Sequence, residues 1–376
     1  MPNVSDSRVR LFLDALDQVI GLRVESCEEE VAFDVEGKRL RLDFLVHAHL
    51  GNDKKTTALG IEVVDSAYPR DASMLLERFA ARANSLAGTD EAPIVVAIFL
   101  SSGTQELLRN ARINFYEVAS GTLYFRHGLR HIDIQRESNQ PAEKRKIRSL
   151  FSGAREQVVH ALLEHWRREG DEAWVSGADL ATMAGTSPFT VSTTMQEFER
   201  QAWVDVTGAG PTLRRKLIRP EQLLDAWARA WKTRLPEERR TRWYAYAGGT
   251  GGIVDHMLER LAEFDGWLMT GAAAANTVVP HLTAIDRVTI IVPPGVSTQW
   301  AADLKLEQAE KGSNVTFIER TGASLMFGDT HSERRGSRFA SRFVMYLDLL
   351  DGVGRNKELA AEFRSRALKL AEMVSG

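Results

Sequence analysis

The sequence predicts a multidomain chain with a mixed α/β domain at each end and a small, mostly helical α+β domain between them. Three observations carry this. The 376 residues exceed what one ordinary core organises and suit two or three domains of about 100 to 150 residues each. Strand-like and helix-like hydropathy patterns alternate in both end regions, whereas the middle holds short, closely spaced helical patterns. Charge also divides the chain: the net value is −3, yet residues 144–243 hold 18 Lys and Arg against 13 Asp and Glu, a surplus of five that leaves −8 for the rest. A polyanion would therefore prefer the middle. Taken alone, the runs EKRKIR (143–148) and EERRTRW (237–243) read equally well as solvated linkers.

Composition excludes several classes. Apolar residues make up 44% and charged residues 26%, the balance of a folded globular protein. No stretch approaches the roughly 18 consecutive apolar residues of a membrane span. The first residues, MPNVSDSRVRLFLDALDQV, interrupt their apolar pattern with acids and lack a small-residue cleavage site, so a cytoplasmic protein is expected. The single cysteine, Cys27, permits no internal disulfide and no thiolate zinc site, consistent with a reducing compartment.

The first domain is expected over residues 1–140. Val9, Leu11, Leu13, Leu16 and Val19 recur at roughly helical spacing, and Gly21 ends that helix. Three extended segments follow: EEEVAFDV, KRLRLDFLVHAHL and, after the GNDKK turn, ALGIEVV. DASMLLERFAARANSLAG reads as an amphipathic helix with Asp71 near its N-cap and Gly88 at its end. The unbroken apolar run APIVVAIFL fits a strand covered on both faces. The TQELLRNA helix and the strands INFYEVA and GTLYFRHG close the unit, and a polar segment with Pro141 leads onward.

The second domain, 150–235, opens with the amphipathic helix REQVVHALLEHWRREG and the short strand AWVS. GADLATMAG and SPFTVSTTMQEFERQAW then give two helices, and WVDVTG, GAGPT and LRRKLIR a two-stranded wing, before the helix RPEQLLDAWARAW. The third domain, 243–376, runs through helix GGIVDHMLERLAEF, strand GWLMTG, the alanine-rich GAAAANTVVPHL, strand RVTIIVP, helix STQWAADLKLEQAEK, strand NVTFIER and a long C-terminal helix containing RNKELAAEFRSRALKLAEMV.

The paired helices of the middle domain carry the strongest functional signal. Ser176 caps the first helix, Leu180 and Met183 turn inward, Gly185 permits the tight turn, and Ser187 and Pro188 start the second helix as N-cap and first position. Phe189, Val191, Met195 and Phe198 supply its packing face, leaving Thr190, Ser192, Thr193, Gln196 and Arg200 outward. This is a winged helix-turn-helix, and those side chains suit a DNA groove. Hydroxyls at the start of a recognition helix, Ser187 included, bond phosphates or base edges, and glutamine bonds adenine in the major groove. Arg214, Arg215 and Lys216 after the wing turn would reach flanking phosphates of double-stranded DNA. Modules of this shape also serve as protein-protein interfaces, and that alternative stays open.

In the N-terminal region, the element order with an acid on each of two neighbouring strands resembles the PD-(D/E)XK nuclease superfamily. There, two acids hold a divalent metal and a lysine two residues beyond the second positions the attacking water. Asp43 in RLDFLV and Glu62 in GIEVV match the acids, as vestigial catalytic candidates and the only candidates for holding magnesium; Val64 stands at the lysine position. Valine neither donates a proton nor stabilises charge, so cleavage is not expected unless Arg70, Arg78 or Arg82 replaces the lysine. The alternative activity is a metal-dependent DNA endonuclease targeted by the winged helix. His47, His49, His127 and His131 lie at i, i+2 and i, i+4 spacings but lack matched carboxylates or thiols, and read as ordinary groups rather than a metal site.

In the third domain, WLMTGAAAA followed by AIDRVTIIV resembles the opening of a nucleotidyltransferase core. That core places Gly-Gly or Gly-Ser at a helix head and two acids one residue apart on a strand. Gly271 is followed by Ala272, and Asp286 by Val288 at the second acid position, so transfer chemistry is not expected. From about residue 150 onward, the helix-turn-helix joined to this degenerate domain, and above all VMYLDLLDGVGRNKELA, resembles the transcriptional-regulator branch of AbiEi antitoxins of type IV toxin-antitoxin systems. The resemblance implies promoter binding by the helix-turn-helix and a cognate toxin as partner of the tail. No cofactor is expected. A homodimer is expected because DNA readers of this kind often match a two-fold site.

Overall fold

The computed structural model describes residues 4–35, 38–85, 91–136, 150–234, 238–246, 252–328, 338–350 and 356–370. The basic run 143–148 and the end of the second predicted helix at Gly88 lie outside them. The chain is a mixed α/β protein that forms two compact units, one of residues 1–144 with 198–202, the other of residues 145–197 with 203–376. No helix among the described residues is long and apolar enough to cross a membrane.

The first unit is a seven-stranded sheet whose strands, β1 (Leu22–Val35), β2 (Lys38–Leu50), β3 (Thr57–Ala67), β4 (Glu91–Leu100), β5 (Asn114–Glu117), β6 (Thr122–His127) and β7 (Arg130–Ile134), lie side by side in chain order. β1–β2–β3 and β5–β6–β7 pair antiparallel, whereas β3–β4–β5 pair parallel. Parallel neighbours need crossover connections, and helices α2 (Pro69–Ser85) and α3 (Ser102–Asn110) supply them. Helix α1 (Ser7–Ile20) packs Val9, Phe12, Leu13 and Leu16 on one face of the sheet; Leu75, Phe79 and Leu108 of α2 and α3 cover the other. The apolar run of β4 sends Ile94 and Val96 to the first core and Val95 and Ala97 to the second, which is why it does not alternate in polarity.

Local departures from the sequence expectations have simple causes. α2 begins at Pro69, so Asp71 lies in its first turn and accepts a hydrogen bond from the Tyr68 amide at 3.0 Å. RHIDI, unassigned from sequence, is strand β7, paired with β6 across a turn at Gly128.

In the second unit, helix α4 (Gly153–Glu169) precedes β8 (Trp174–Ser176), α5 (Gly177–Ala184), α6 (Pro188–Arg200, in this unit through Glu197), β9 (Val204–Thr207), β10 (Arg214–Leu217) and α7 (Pro220–Arg234). β8 joins the two expected wing strands, giving a three-stranded sheet in the order β8-β10-β9. A five-stranded sheet follows, in the order β12-β13-β15-β11-β14, from β11 (Arg240–Tyr244), β12 (Leu268–Thr270), β13 (Val288–Val292), β14 (Glu307–Gln308) and β15 (Val315–Glu319). Its helices are α8 (Gly252–Arg260), α9 (Gly271–Val278), α10 (Ser297–Asp303), α11 (Arg342–Leu349) and α12 (Asn356–Arg366). Part of the basic run read as a linker is thus strand β11, hydrogen-bonded on both edges. The helix expected over 297–311 stops at Asp303, and 307–308 pair with β11. The long C-terminal helix is shorter than expected, ending at Arg366.

Buried polar contacts hold the winged-helix part together and tie it to the region that follows. Glu156 on α4 accepts hydrogen bonds from Trp227 Nε1 at 2.8 Å and from Arg234 at 2.9 Å. His160, one turn on and fully buried, bridges Ala323 O at 2.8 Å through Nδ1 and Ser341 Oγ at 2.7 Å through Nε2. A carbonyl can only accept, so Nδ1 carries the proton and Nε2 accepts from the serine hydroxyl. Burial holds the His160 pKa down at about 4, so the ring is neutral at physiological pH.

Candidate nucleic-acid interface

The helix-turn-helix is set by local chemistry. Ser176 Oγ accepts the Asp179 amide at 3.1 Å, capping α5, and Gly185 ends it in the left-handed region at φ +59°. Non-glycine residues pay a steric penalty there. α6 restarts two residues later: Ser187 Oγ accepts the Thr190 amide at 3.1 Å, and Pro188 fills the first helical position. Leu180, Ala181, Ala184, Val191 and Met195 are buried, and Met183 is half-buried.

On the outer side of α6, Gln196 is exposed and Thr190, Ser192 and Thr193 are half-buried; Thr193 Oγ1 donates to Thr190 O at 3.1 Å. Ser187 and Arg200 are exposed at the two ends of the helix. The expected inward position of Phe189 is corrected, because its ring is 77% exposed. The reason lies in the spacing: residues two apart on a helix do not share a face, so Phe189 points away from Val191. It falls on one stripe with Thr193 and Gln196, at i, i+4 and i+7, and that spacing was the signal available in the sequence.

The wing closes through Gly208 at φ +75°, where a Cβ would collide with the Thr212 carbonyl, and through a short 3-10 turn at Gly210–Thr212. β10 then separates the three basic residues by its pleat. Arg214 is exposed, whereas Arg215 shares the buried side with Leu217 and is 8% exposed. Lys216 Nζ pairs with Glu172 at 2.9 Å and lies 5.3 Å from the centre of the Trp174 ring. Of the three, Arg214 alone combines exposure with no ion pair among the described contacts.

In the first unit, the pleat places Asp43 of β2 and Glu62 and Val64 of β3 on the sheet face covered by α2, opposite Phe44 and Ile61. Asp43 Oδ2 accepts the Val63 amide at 2.7 Å. Glu62 is 4% exposed and pairs with Arg78 of α2 at 2.9 Å; Arg78 also donates to Arg41 O at 2.9 Å. Burial, with the neighbouring Asp43 charge, pushes Glu62 up to about 7 against the opposing pull of Arg78. Of the other arginines weighed as lysine substitutes, Arg82 pairs with Glu91 at 3.0 Å and Arg70 is exposed. Val64 packs on the α2–α3 core. No group of three or more His, Cys, Asp and Glu side chains among the described residues could hold a metal ion. His49 instead contacts Glu25 at 2.6 Å and the Asp53 carbonyl at 3.0 Å.

In the C-terminal sheet, Gly271 heads α9 at φ +66° and is buried. Asp286 lies in the loop before β13, 88% exposed and 4.0 Å from Arg287, while Val288 is buried at the head of the strand. The buried carboxylate of this region is Asp348 on α11, which sequence reasoning did not single out. It accepts from Thr270 Oγ1 at 2.6 Å, Trp231 Nε1 at 3.2 Å and Arg320 at 2.9 Å. Arg320 reaches Glu238 on its other side at 2.9 Å and lies 4.6 Å from the Trp231 ring centre, so all these groups are mutually satisfied.

Two families match this chain. Residues 156–225 match the Crp-like helix-turn-helix domain, and residues 216–369 match the family described as "Transcriptional regulator, AbiEi antitoxin, Type IV TA system". No curated protein matches. Among solved structures, "Structure of EndoMS in apo form" is 17% identical over 31% of this chain and 47% of its own, with a TM-score of 0.21. "Crystal Structure of Thermus thermophilus Catabolite Activator Protein" is 16% identical over 60% of this chain and 96% of its own, with a TM-score of 0.18. The chain thus spans under half of the first and nearly all of the second, and at these scores neither likeness bears on fold or function.

Proposed function

We propose that this protein is a sequence-specific, double-stranded-DNA-binding transcriptional regulator of the antitoxin type, acting on the promoter of its own operon. The observation that carries the reading is the helix-turn-helix of residues 176–200, which lies within the Crp-like match and exposes Phe189 and Gln196 on α6, with Arg214 exposed on the wing. The AbiEi match over 216–369 supports the antitoxin half of the reading and a cognate toxin as partner of the C-terminal region. A homodimer fits the two-fold sites that such readers address.

In this reading the chain has three functional regions. Residues 1–140 keep a nuclease-like frame whose chemistry is retired: Val64 replaces the lysine, and Arg78 sits on Glu62 where a metal would need the carboxylate. Residues 150–235 read DNA. Residues 243–376 keep a nucleotidyltransferase-like frame in which Asp286 faces solvent without a second acid, and no cofactor is used.

Fluorescence anisotropy of the purified chain against the duplex directly upstream of its coding sequence, and against a scrambled duplex, tests the reading. Titrations run with and without magnesium, and each sample is then resolved on a gel. Selective binding with intact DNA is the expected result. Cut DNA would return the N-terminal region to the nucleases, and absence of binding to either duplex would overturn the regulator reading.

A further inference from the structure

Phe189 is the least explained side chain of the second unit. It sits at the second position of α6, directly after Pro188, with its ring 77% exposed. Folding gains almost nothing from an aromatic ring left in water, so any benefit of this ring must come from something that covers it. Its surroundings say what that is. Around it, Ser187 and Pro188 are exposed at the helix head, and Gln196 and Arg200 are exposed along the same stripe, with Thr193 half-buried between them. A protein-docking face would continue as a broad apolar patch around the ring, whereas here only Pro188 extends it and the rest of the stripe carries hydrogen-bonding groups. The major groove of DNA has that mixed character, with hydrogen-bonding base edges interrupted by one apolar group, the C5-methyl of thymine. The leading residues of the second helix of a helix-turn-helix are those that meet base edges.

We infer that Phe189 is a base-reading residue that contacts the C5-methyl of thymine in the major groove, and that it contributes to sequence choice. The inference rests on the DNA-binding reading above. Ser187 fixes the ring's position: its hydroxyl accepts the Thr190 amide at 3.1 Å and contacts Thr190 Oγ1 at 2.9 Å, so the helix head is held before DNA arrives. Gln196, two turns on along the same stripe, offers an amide of the kind that pairs with adenine. A site read by both would be rich in A·T pairs.

Removal of the methyl groups alone tests this. The duplex upstream of the coding sequence is amplified with dTTP or with dUTP, which pair alike and differ by the C5-methyl, and each product is titrated by anisotropy with the native chain and with Phe189→Ala and Phe189→Leu. The native chain is expected to bind the uracil duplex about fourfold more weakly for each methyl contacted. Phe189→Ala should bind both duplexes equally, near the native affinity for the uracil form, and Phe189→Leu should keep part of the preference. Unchanged circular dichroism of both variants shows that the helix is intact. An equal thymine preference in the native chain and Phe189→Ala would overturn the inference while leaving DNA binding in place. Failure of the native chain to bind either duplex would overturn the DNA-binding reading, and the inference with it.

Discussion

Each of the two units sets a pair of carboxylates, at least one of them buried, beside an arginine, and the two clusters behave differently. In the second unit, Arg320 lies between Asp348 and Glu238, all three nearly inaccessible, with Trp231 beneath the guanidinium and donors from Thr270 and Trp231 completing the Asp348 oxygens. Asp348 and Glu238 raise the Arg320 pKa even against the cost of its burial. In the first unit, Arg78 is 43% exposed on its side chain and reaches Glu62 from the rim. Asp43 spends an oxygen on the Val63 amide, and Glu62 is left to titrate near 7. The contrast separates a charge cluster whose partners are all inside the fold from one left incompletely matched. Buried carboxylates alone, which are what a sequence motif records, do not distinguish the two cases.

The strongest way to break this comparison is to remove Arg320. Arg320→Met leaves Asp348 buried without its cation, while Glu238 keeps Arg240 at 3.1 Å, and the loss at Asp348 costs about 3–5 kcal/mol. All eight tryptophans lie in the second unit, so urea unfolding followed by tryptophan fluorescence reads that unit by itself. Adding Asp348→Asn should return part of the loss. A cost below about 1 kcal/mol, the range of a surface pair, would show that the cluster is hydrated and not structural.

Next in size is a pH effect at His160 in the same unit. Its pKa is near 4 when folded against an ordinary value of 6.5. Above 6.5 both folded and unfolded states hold the ring neutral, and the native contacts to Ala323 and Ser341 keep their full value. Between 6.5 and 4 the unfolded chain takes up a proton that the folded ring refuses, so stability falls as pH falls, by about 3 kcal/mol in total. Fluorescence-detected urea titrations across this window should show that slope, and His160→Gln, which can donate to the carbonyl and accept from the serine, should flatten it. An unaltered slope in the variant would assign the effect to other groups.

Glu62 has the opposite sign. Its folded pKa is raised, so protonation stabilises the first unit, and that contribution is complete below about 4.5 and lost as pH rises through 7. Glu62→Gln should therefore stabilise the unit at pH 8 by about 1 kcal/mol, less than the full linkage because Arg78 loses a charged partner. At pH 5 the gain should vanish. Amide hydrogen exchange in β2 and β3 reads this unit without interference from the tryptophan-bearing one. Destabilisation by Glu62→Gln at pH 8 would mean that the Glu62–Arg78 pair outweighs the burial cost, and the two clusters would then be alike.

These clusters also mark what was legible in the sequence. Asp43 and Glu62 were visible because they fall on consecutive strands of recognisable pattern, and Gly185 because only a left-handed turn explains a glycine between two helical patterns. The Arg320, Asp348 and Glu238 cluster was not, since its members are separated by up to 110 positions and meet only through sheet packing. β11 was hidden for a related reason. Its residues, RTRWY, alternate poorly, and hydrogen bonds to β15 and β14 override their weak local preference. The wing exposes a third limit: Arg214, Arg215 and Lys216 look equivalent as a run, but a strand pleat must turn neighbours to opposite sides.

That pleat gives the smallest expected effect on stability and a direct test of which charges face outward. Arg214 is exposed, so Arg214→Ala should change unfolding free energy by no more than about 0.5 kcal/mol. If it meets a phosphate, affinity for the upstream and scrambled duplexes should fall by the same factor, and the slope of log affinity against log salt should shrink by about one. Arg215 lies on the covered side of the same strand, so Arg215→Ala should act mainly through stability and leave the salt slope unchanged. Lys216→Ala should fall between them, because Glu172 and the Trp174 ring already hold the ammonium. Anisotropy titrations at three salt concentrations, beside urea unfolding of the same preparations, separate the two classes of effect. Equal salt-slope losses for Arg214 and Arg215 would mean that the wing rearranges on DNA and that its free-state pleat does not decide which arginine meets the backbone.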